Sequence, residues 1–523
     1  MKRLTGVSRP RMYFNRSHVL LSLAVGAIVV VSSFVVVVVE AAAAESPRDL
    51  IEAVQADDLD RVKRLITSGV DVSGARGDGA TALHWAVHRE NTEVSDLLIE
   101  SGAAVNAADD HGVTPLALAC LNGSSVMVER LLRAGADVAS ARSTGETVLM
   151  TAARVGNIEV VRQLLTAGVD PGASESSRGQ TALMWAIAEN HTGVARLILE
   201  TAGGATTRSS NGFSPLLFSA QQGNVDIART LLAAGADVNE FAPDGIGGDT
   251  NTQEIFREGT EASALMVAID SGHTEMALFL IERGANVNHS GAGRTPLHSA
   301  VQQQLPEVVQ VLLSNGAAPN MRLEKRMPLL SRSIGQDNGL TPTKIGATPF
   351  LLAASYGDVE MMRMLIDAGS DPLLMTEDNT TALMLAAGAD YVEGQDKYGQ
   401  RSYPAFLSII QDRAFKATKF CVDLGLDVNA ENDSGQTALF GAVYMGGTVI
   451  APYLVEQGAE MDVVNLRGQT PWMVAAQGEY RSGSFYTHIE TAEVLEELGA
   501  DTTLGFDLGR DFRKQLEDLG AIR

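Results

Sequence analysis

The sequence predicts an all-α solenoid of about twelve short helix pairs stacked in a row, interrupted by three large loop insertions. Three observations carry this. A hexapeptide that opens on Thr or Ser recurs eleven times, from Thr81-Ala-Leu-His-Trp-Ala86 to Thr470-Pro-Trp-Met-Val-Ala475. Seven of the ten intervals between successive starts fall within one residue of 33. In most units a Gly, usually followed by Ala, stands 21 residues after the opening Thr or Ser, as Gly102 stands after Thr81.

The elements follow in chain order. Residues 1–44 carry Lys2, Arg3, Arg9, Arg11 and Arg16, then an uncharged apolar run over 19–39, then Glu40 and four alanines. That is the grammar of export, and two readings stay open: a cleaved signal ending in a small-residue site, or an uncleaved anchor. In either case the basic leader stays inside, so everything after it is expected outside the cytoplasm, in the periplasm or beyond the cell. Membrane contact is then expected only through 19–39, and only if the segment is retained.

Residues 47–72 read as an opening helix pair, with Leu50, Ile51 and Val54, then Val62, Leu65 and Ile66, on apolar faces that end at Gly69. In each following unit the Thr or Ser is an N-cap, and the Pro or Ala after it suits the first helical position. Leu and Ala recur on one face of a first helix ending near a Gly such as Gly123 or Gly223. A second helix carries paired leucines such as Leu131-Leu132, and a Gly such as Gly135 supplies the left-handed residue that stops it. Neither helix is long enough to be stable alone, so each must bury its apolar face against its neighbours.

The breaks in the period locate the insertions. About 16 extra residues fall within 241–259 and about 20 within 321–345, both in the turn between units. About 23 fall within 389–412, between the two helices of one unit, and about 8 near 478–485. Beyond the last unit, 511–519 reads as a closing helix. The chain thus divides into an export segment (1–44), a repeat array (46–505) and a capping segment (506–523).

Composition removes several classes of function. Forty Lys+Arg against 64 Asp+Glu give a net charge of −24, and −28 once 1–44 is removed. Such a field repels DNA and RNA, so no nucleic-acid partner is expected. Cys120 and Cys421 allow one disulfide at most and read as buried small hydrophobes. His84 and His88 stand one helical turn apart, a spacing that binds zinc, but a third ligand and the Glu of the metalloprotease motif are missing. Asp244 and Asp249 in the first insertion lack the loop spacing of a calcium site. No cofactor, metal or catalytic residue is expected.

These hexapeptides, at this period, make the chain resemble the ankyrin repeat family over about 46–505. The resemblance implies a turn and two antiparallel helices per unit, and a protein-binding module without catalysis of its own. It also implies that His84 and His298 fill a slot whose side chain bonds between repeats. The turns and first helices would line a concave face, with variable positions just before the Gly that ends each first helix. On that pattern the contact surface is expected between Gln221 and Tyr444, beside the insertions. The candidates on first helices are Gln221, Gln222, Asp270, Gln302, Gln303, Tyr356 and Tyr444. Arg322, Lys325 and Arg326 join them from a basic insertion, which suits an acidic partner or the chain's own acidic body. Tyr398 and Tyr403 come from an insertion rich in the aromatic residues of interface hot spots. The expected partners are envelope or secreted proteins. The competing reading is an enzyme subunit or metal-dependent enzyme with a site assembled in the insertions.

Overall fold

The computed structural model describes residues 45–242, 261–324, 345–389, 407–481 and 484–505. The export segment, most of the three large insertions and the closing segment 506–523, with the expected helix 511–519, lie outside the described residues. So do Lys325, Arg326, Tyr398 and Tyr403. Among the described residues no helix is long and apolar enough to cross a membrane.

The helices come in twelve successive pairs. The first four are α1 (Pro47–Gln55) with α2 (Leu59–Thr67), α3 (Ala82–His88) with α4 (Thr92–Glu100), α5 (Pro115–Asn122) with α6 (Ser125–Arg133), and α7 (Val148–Val155) with α8 (Ile158–Thr166). Next come α9 (Ala182–Ala188) with α10 (Thr192–Ala202), α11 (Pro215–Gln222) with α12 (Val225–Ala233), α13 (Ala264–Asp270) with α14 (Thr274–Glu282), and α15 (Pro296–Gln302) with α16 (Pro306–Ser314). The last are α17 (Pro349–Ser355) with α18 (Val359–Asp367), α19 (Ala382–Ala387) with α20 (Leu407–Asp423), α21 (Ala438–Tyr444) with α22 (Ile450–Glu456), and α23 (Pro471–Gln477) with α24 (Ile489–Leu498). First helices pack on first helices from α1 to α23, and second helices on second helices from α6 to α24.

Each local signal in the sequence has its physical counterpart. The Thr114 hydroxyl accepts from the Ala117 amide at 3.3 Å, and Ser214, Thr348 and Thr470 cap their helices in the same way. Gly102 closes its unit at φ +88°, where a Cβ would be strained. Of each Leu-Leu pair the first or second member is buried and the other half-buried: Leu98, Leu131, Leu164, Leu231 and Leu312 lie wholly inside. Burying such a side chain contributes about 1.5–3 kcal/mol.

Polar bonds tie each layer to the next. The Asn106 side chain donates to Gly135 O at 3.1 Å and accepts from the Asp137 amide at 2.8 Å. Asn288 and Asn429 make the same clasp one unit on. Asn320 makes it to Gly369 O and the Asp371 amide, but across 49 and 51 residues instead of 29 and 31. The difference is the expected 20-residue excess, so that insertion leaves the stacking of its neighbours intact. Its base is pinned where Leu323 N–H donates to Ala347 O and Gly346 N–H to Leu323 O. The first insertion is closed likewise, Ala242 N–H donating to Ala262 O at 3.1 Å. Beside that base the buried Glu240 carboxylate takes Ser214 Oγ and Arg208 Nη2; burial pushes its pKa up, against both partners.

Two details differ from the sequence reading. The expected insertion 389–412 ends as helix, because α20 starts at Leu407 and runs 17 residues. Its Gln411 Nε2 donates to Met445 O and Gly446 O, supplying partners to the otherwise open end of α21. The small insertion near 478–485 forms an antiparallel hairpin, β1 (Glu479–Arg481) with β2 (Ser484–Tyr486), Glu479 opposite Tyr486. A two-residue link with Gly suits such a turn.

Excision of 325–344 with a short Gly link is expected to leave helicity and thermal midpoint unchanged, read by circular dichroism. Leu312→Ala, beside the same insertion, should lower stability by about 2–5 kcal/mol in urea unfolding. A large loss of midpoint in the excised protein would show that the insertion, not the clasp, holds the two repeats together.

Candidate protein-interaction surface

The candidate surface is the row of first helices, so the question is which of their side chains reach solvent. Of the eight described candidates, Gln222 and Arg322 are exposed, and Gln221 and Gln303 are half-buried. Asp270, Gln302, Tyr356 and Tyr444 retain only 6–8% exposure. Asp270 is held by Arg294, whose Nη2 lies 2.6 Å from Oδ2 with both side chains inside the protein, while Arg294 Nε donates to Ser299 Oγ. Gln303 Nε2 donates to Asp270 O at 2.8 Å. The Tyr444 hydroxyl accepts from Gln436 Nε2 at 2.6 Å. These four side chains therefore serve the fold and offer little area to a partner. Their variable-looking positions gave no sign of this; the signal was the Arg immediately before the cap Thr295, which needs a carboxylate once buried.

Exposure divides the row. Every residue of α13, α15, α19 and α21 is buried. In the four earlier helices α3, α5, α7 and α9 the outer positions stay open. Trp85, Leu118 and Trp185 are half-buried, and His88, Arg89, Leu121 and Glu189 are exposed. Trp85 and Trp185 pack against the core as the sequence predicts, yet each keeps one side open. The Arg154 guanidinium sits 5.0 Å from the centre of the Trp185 ring and reaches Glu146 at 3.4 Å; His88 meets the edge of Trp85 at 5.9 Å.

The tempting chemistry is absorbed by structure. The Thr81 amide donates to His84 Nδ1 at 3.1 Å, which leaves the proton on Nε2 to donate to Val113 O at 3.0 Å. With both ring nitrogens engaged, His84 cannot chelate with His88 without breaking a bond between repeats. His298 repeats the arrangement with Thr295 and Ala347 O. His191 and His273 bond back to Arg154 O and Gln221 O in the preceding repeat, and the rings fill the space a Cβ on Gly156 or Gly223 would need. Cys120 and Cys421 are buried and unpaired with each other, and burial pushes both thiols up to about 12. At that pKa neither is a nucleophile at neutral pH. Among the described residues no three His, Cys, Asp or Glu side chains converge as a metal site.

Burial lowers His84 and brings His298 down to about 4 from 6.5. The unfolded chain takes up this proton as pH falls below about 6.5, whereas the folded chain holds out to about 4. Stability owed to neutral His298 is thus complete above about 6.5 and is lost as pH falls toward 4, on the order of 3 kcal/mol in all. His298→Gln keeps a donor for Ala347 O and should flatten the fall in urea midpoint between pH 7 and pH 4.5. An unchanged slope would show that His298 titrates normally in the fold.

Comparison with known proteins gives a consistent picture. The family model described as "Ankyrin repeats (3 copies)" matches residues 50–142, 149–242 and 246–322, and "Ankyrin repeat" matches 345–377. The mouse (Mus musculus) "Ankyrin repeat and SOCS box protein 16" is 34% identical over 251 residues, 45% of this chain and 52% of that protein. The mouse "B-cell lymphoma 3 protein homolog" is 30% identical over 36% of this chain and 41% of its own length. The "Probable 26S proteasome regulatory subunit p28" of Saccharomyces cerevisiae (strain ATCC 204508 / S288c) is 30% identical over 34% of this chain and 76% of its own. The match thus spans about half the length of the first of these relatives. The likeness lies in the repeats, and the repeats, their spacing and their packing make this chain a member of the ankyrin repeat family.

Proposed function

We propose that the chain is an exported scaffold that binds another protein, from the envelope or the secreted set, through its row of first helices and performs no catalysis of its own. The observation that carries this reading is preorganisation. Stacked helices, interlayer clasps and buried caps hold the open first-helix positions in place before any partner arrives, so little ordering entropy remains to oppose binding. The charge of −24 speaks against nucleic acid, and the histidines and cysteines most suited to chemistry are engaged in or buried by the fold.

Export rests on the leader, the apolar run 19–39 and the alanines before Glu45. A bacterial-type envelope suits the chain better than a glycosylating lumen. Five Asn-x-Ser/Thr sequons stand at Asn122, Asn190, Asn288, Asn379 and Asn432. The amide nitrogens of Asn122, Asn288 and Asn379 donate to Val87 O, Gly316 O and Asp433 Oδ1, and Asn432 is buried. A glycan on any of them displaces a bond of the stack.

Fractionation of the native cells, with amino-terminal sequencing, is expected to find the chain outside the cytoplasm, starting at or near Glu45 or retaining its leader in the membrane. Affinity capture from the envelope fraction should return a specific protein, lost when α3–α9 are replaced by α-helical repeats with Ala at the open positions. A cytoplasmic chain sinks the export half of the reading. Turnover by the purified protein, abolished with an insertion, sinks the scaffold half.

A further inference from the structure

The division of the first helices into closed and open sets identifies the part of the row that receives a partner, and it lies outside the stretch the sequence pointed to. Trp85, Leu118 and Trp185 hold the same place, four residues after the capping Thr, on helices that pack side by side from α3 to α9. With exposed Leu121 they form a partly open apolar stripe. Its two ends are charged oppositely. Arg89 follows α3 and Glu189 follows α9, both exposed, and neither is in an ion pair among the described residues. From α13 onward the equivalent positions are buried, Val267 and Ser299 completely.

We propose that this stripe is the docking site, and that its occupant is a protein segment with a carboxylate over Arg89, apolar side chains over Leu118 and Leu121, and a basic residue over Glu189. The proposal rests on the protein-binding reading above and adds the place, the chemistry and the direction of the partner. Aromatic and Leu side chains that keep part of their surface in water lose it favourably to an apolar segment, while the end charges set which way the segment runs. In the reverse direction like charges face each other at both ends. Three helix-to-helix steps of about 8–10 Å make the stripe about 25–30 Å long, which about eight or nine residues of extended chain would span.

The test is selection of displayed random twelve-residue peptides on the purified full chain. Enriched peptides should place an acidic residue and a basic residue on opposite sides of an apolar centre. Arg89→Glu or Glu189→Lys should weaken them by at least about tenfold, and swapping the matching peptide charge should restore binding. Circular dichroism of both variants, which alter only exposed side chains, checks that the fold is kept. Peptides that enrich yet bind both variants unchanged, or that lose binding on Gln222→Ala or on Arg322→Ala, overturn the stripe and leave the scaffold reading standing. Failure of any peptide to enrich also overturns the stripe, while capture from the envelope then decides the scaffold reading by itself.

Discussion

None of these helices can stand without its neighbours. Those of the repeats are six to eleven residues long, apart from the 17 of α20, and isolated helices below about 12–15 residues are marginal in water. The stack supplies what a lone hairpin lacks. Each layer covers the apolar face of the one before it, and each polar slot reaches across to the next. The Asn clasps, the His84 and His298 bridges, and the His191 and His273 caps all join one repeat to an adjacent one. Stability is thus a sum of interfaces, and a layer can be lengthened at its turn if the interface is untouched.

That is why the insertions are tolerated where they lie. The Asn320 clasp and the His298 bridge each span 49 residues rather than 29, yet close on the same groups as in uninterrupted repeats. The inserted length leaves the stack through a pinned base and returns to it. The insertion between α19 and α20 behaves differently, because its last residues continue a helix and Gln411 ties that helix to the following repeat.

The closed half of the first-helix row has its own cost and compensation. Asp270 and Arg294 are both inside the protein, where an unmatched charge is heavily penalised. The bond between them, with Ser299 and Gln303 on either side, satisfies the pair and joins two repeats. A position that varies from repeat to repeat is therefore not by itself a contact position. Here variation at Asp270, Gln302, Tyr356 and Tyr444 reflects how each interlayer space is filled, whereas Trp85, Leu121 and Glu189 keep their reach to solvent.

The sequence by itself determined the architecture, because every signal that sets it is local: a capping Thr, a Gly at positive φ, a Leu pair at helical spacing. Their recurrence at 33 residues made stacking the one way to bury all the apolar faces. It also determined that the histidines and cysteines would be absorbed by the fold, since the repeat fixes the slot each occupies. Only the tertiary structure decided which polar side chains reach water. Exposure at Asp270 depends on an arginine 24 residues away, and at Tyr444 on how neighbouring layers close over it; no local pattern encodes contacts between side chains that meet only after the layers are in place.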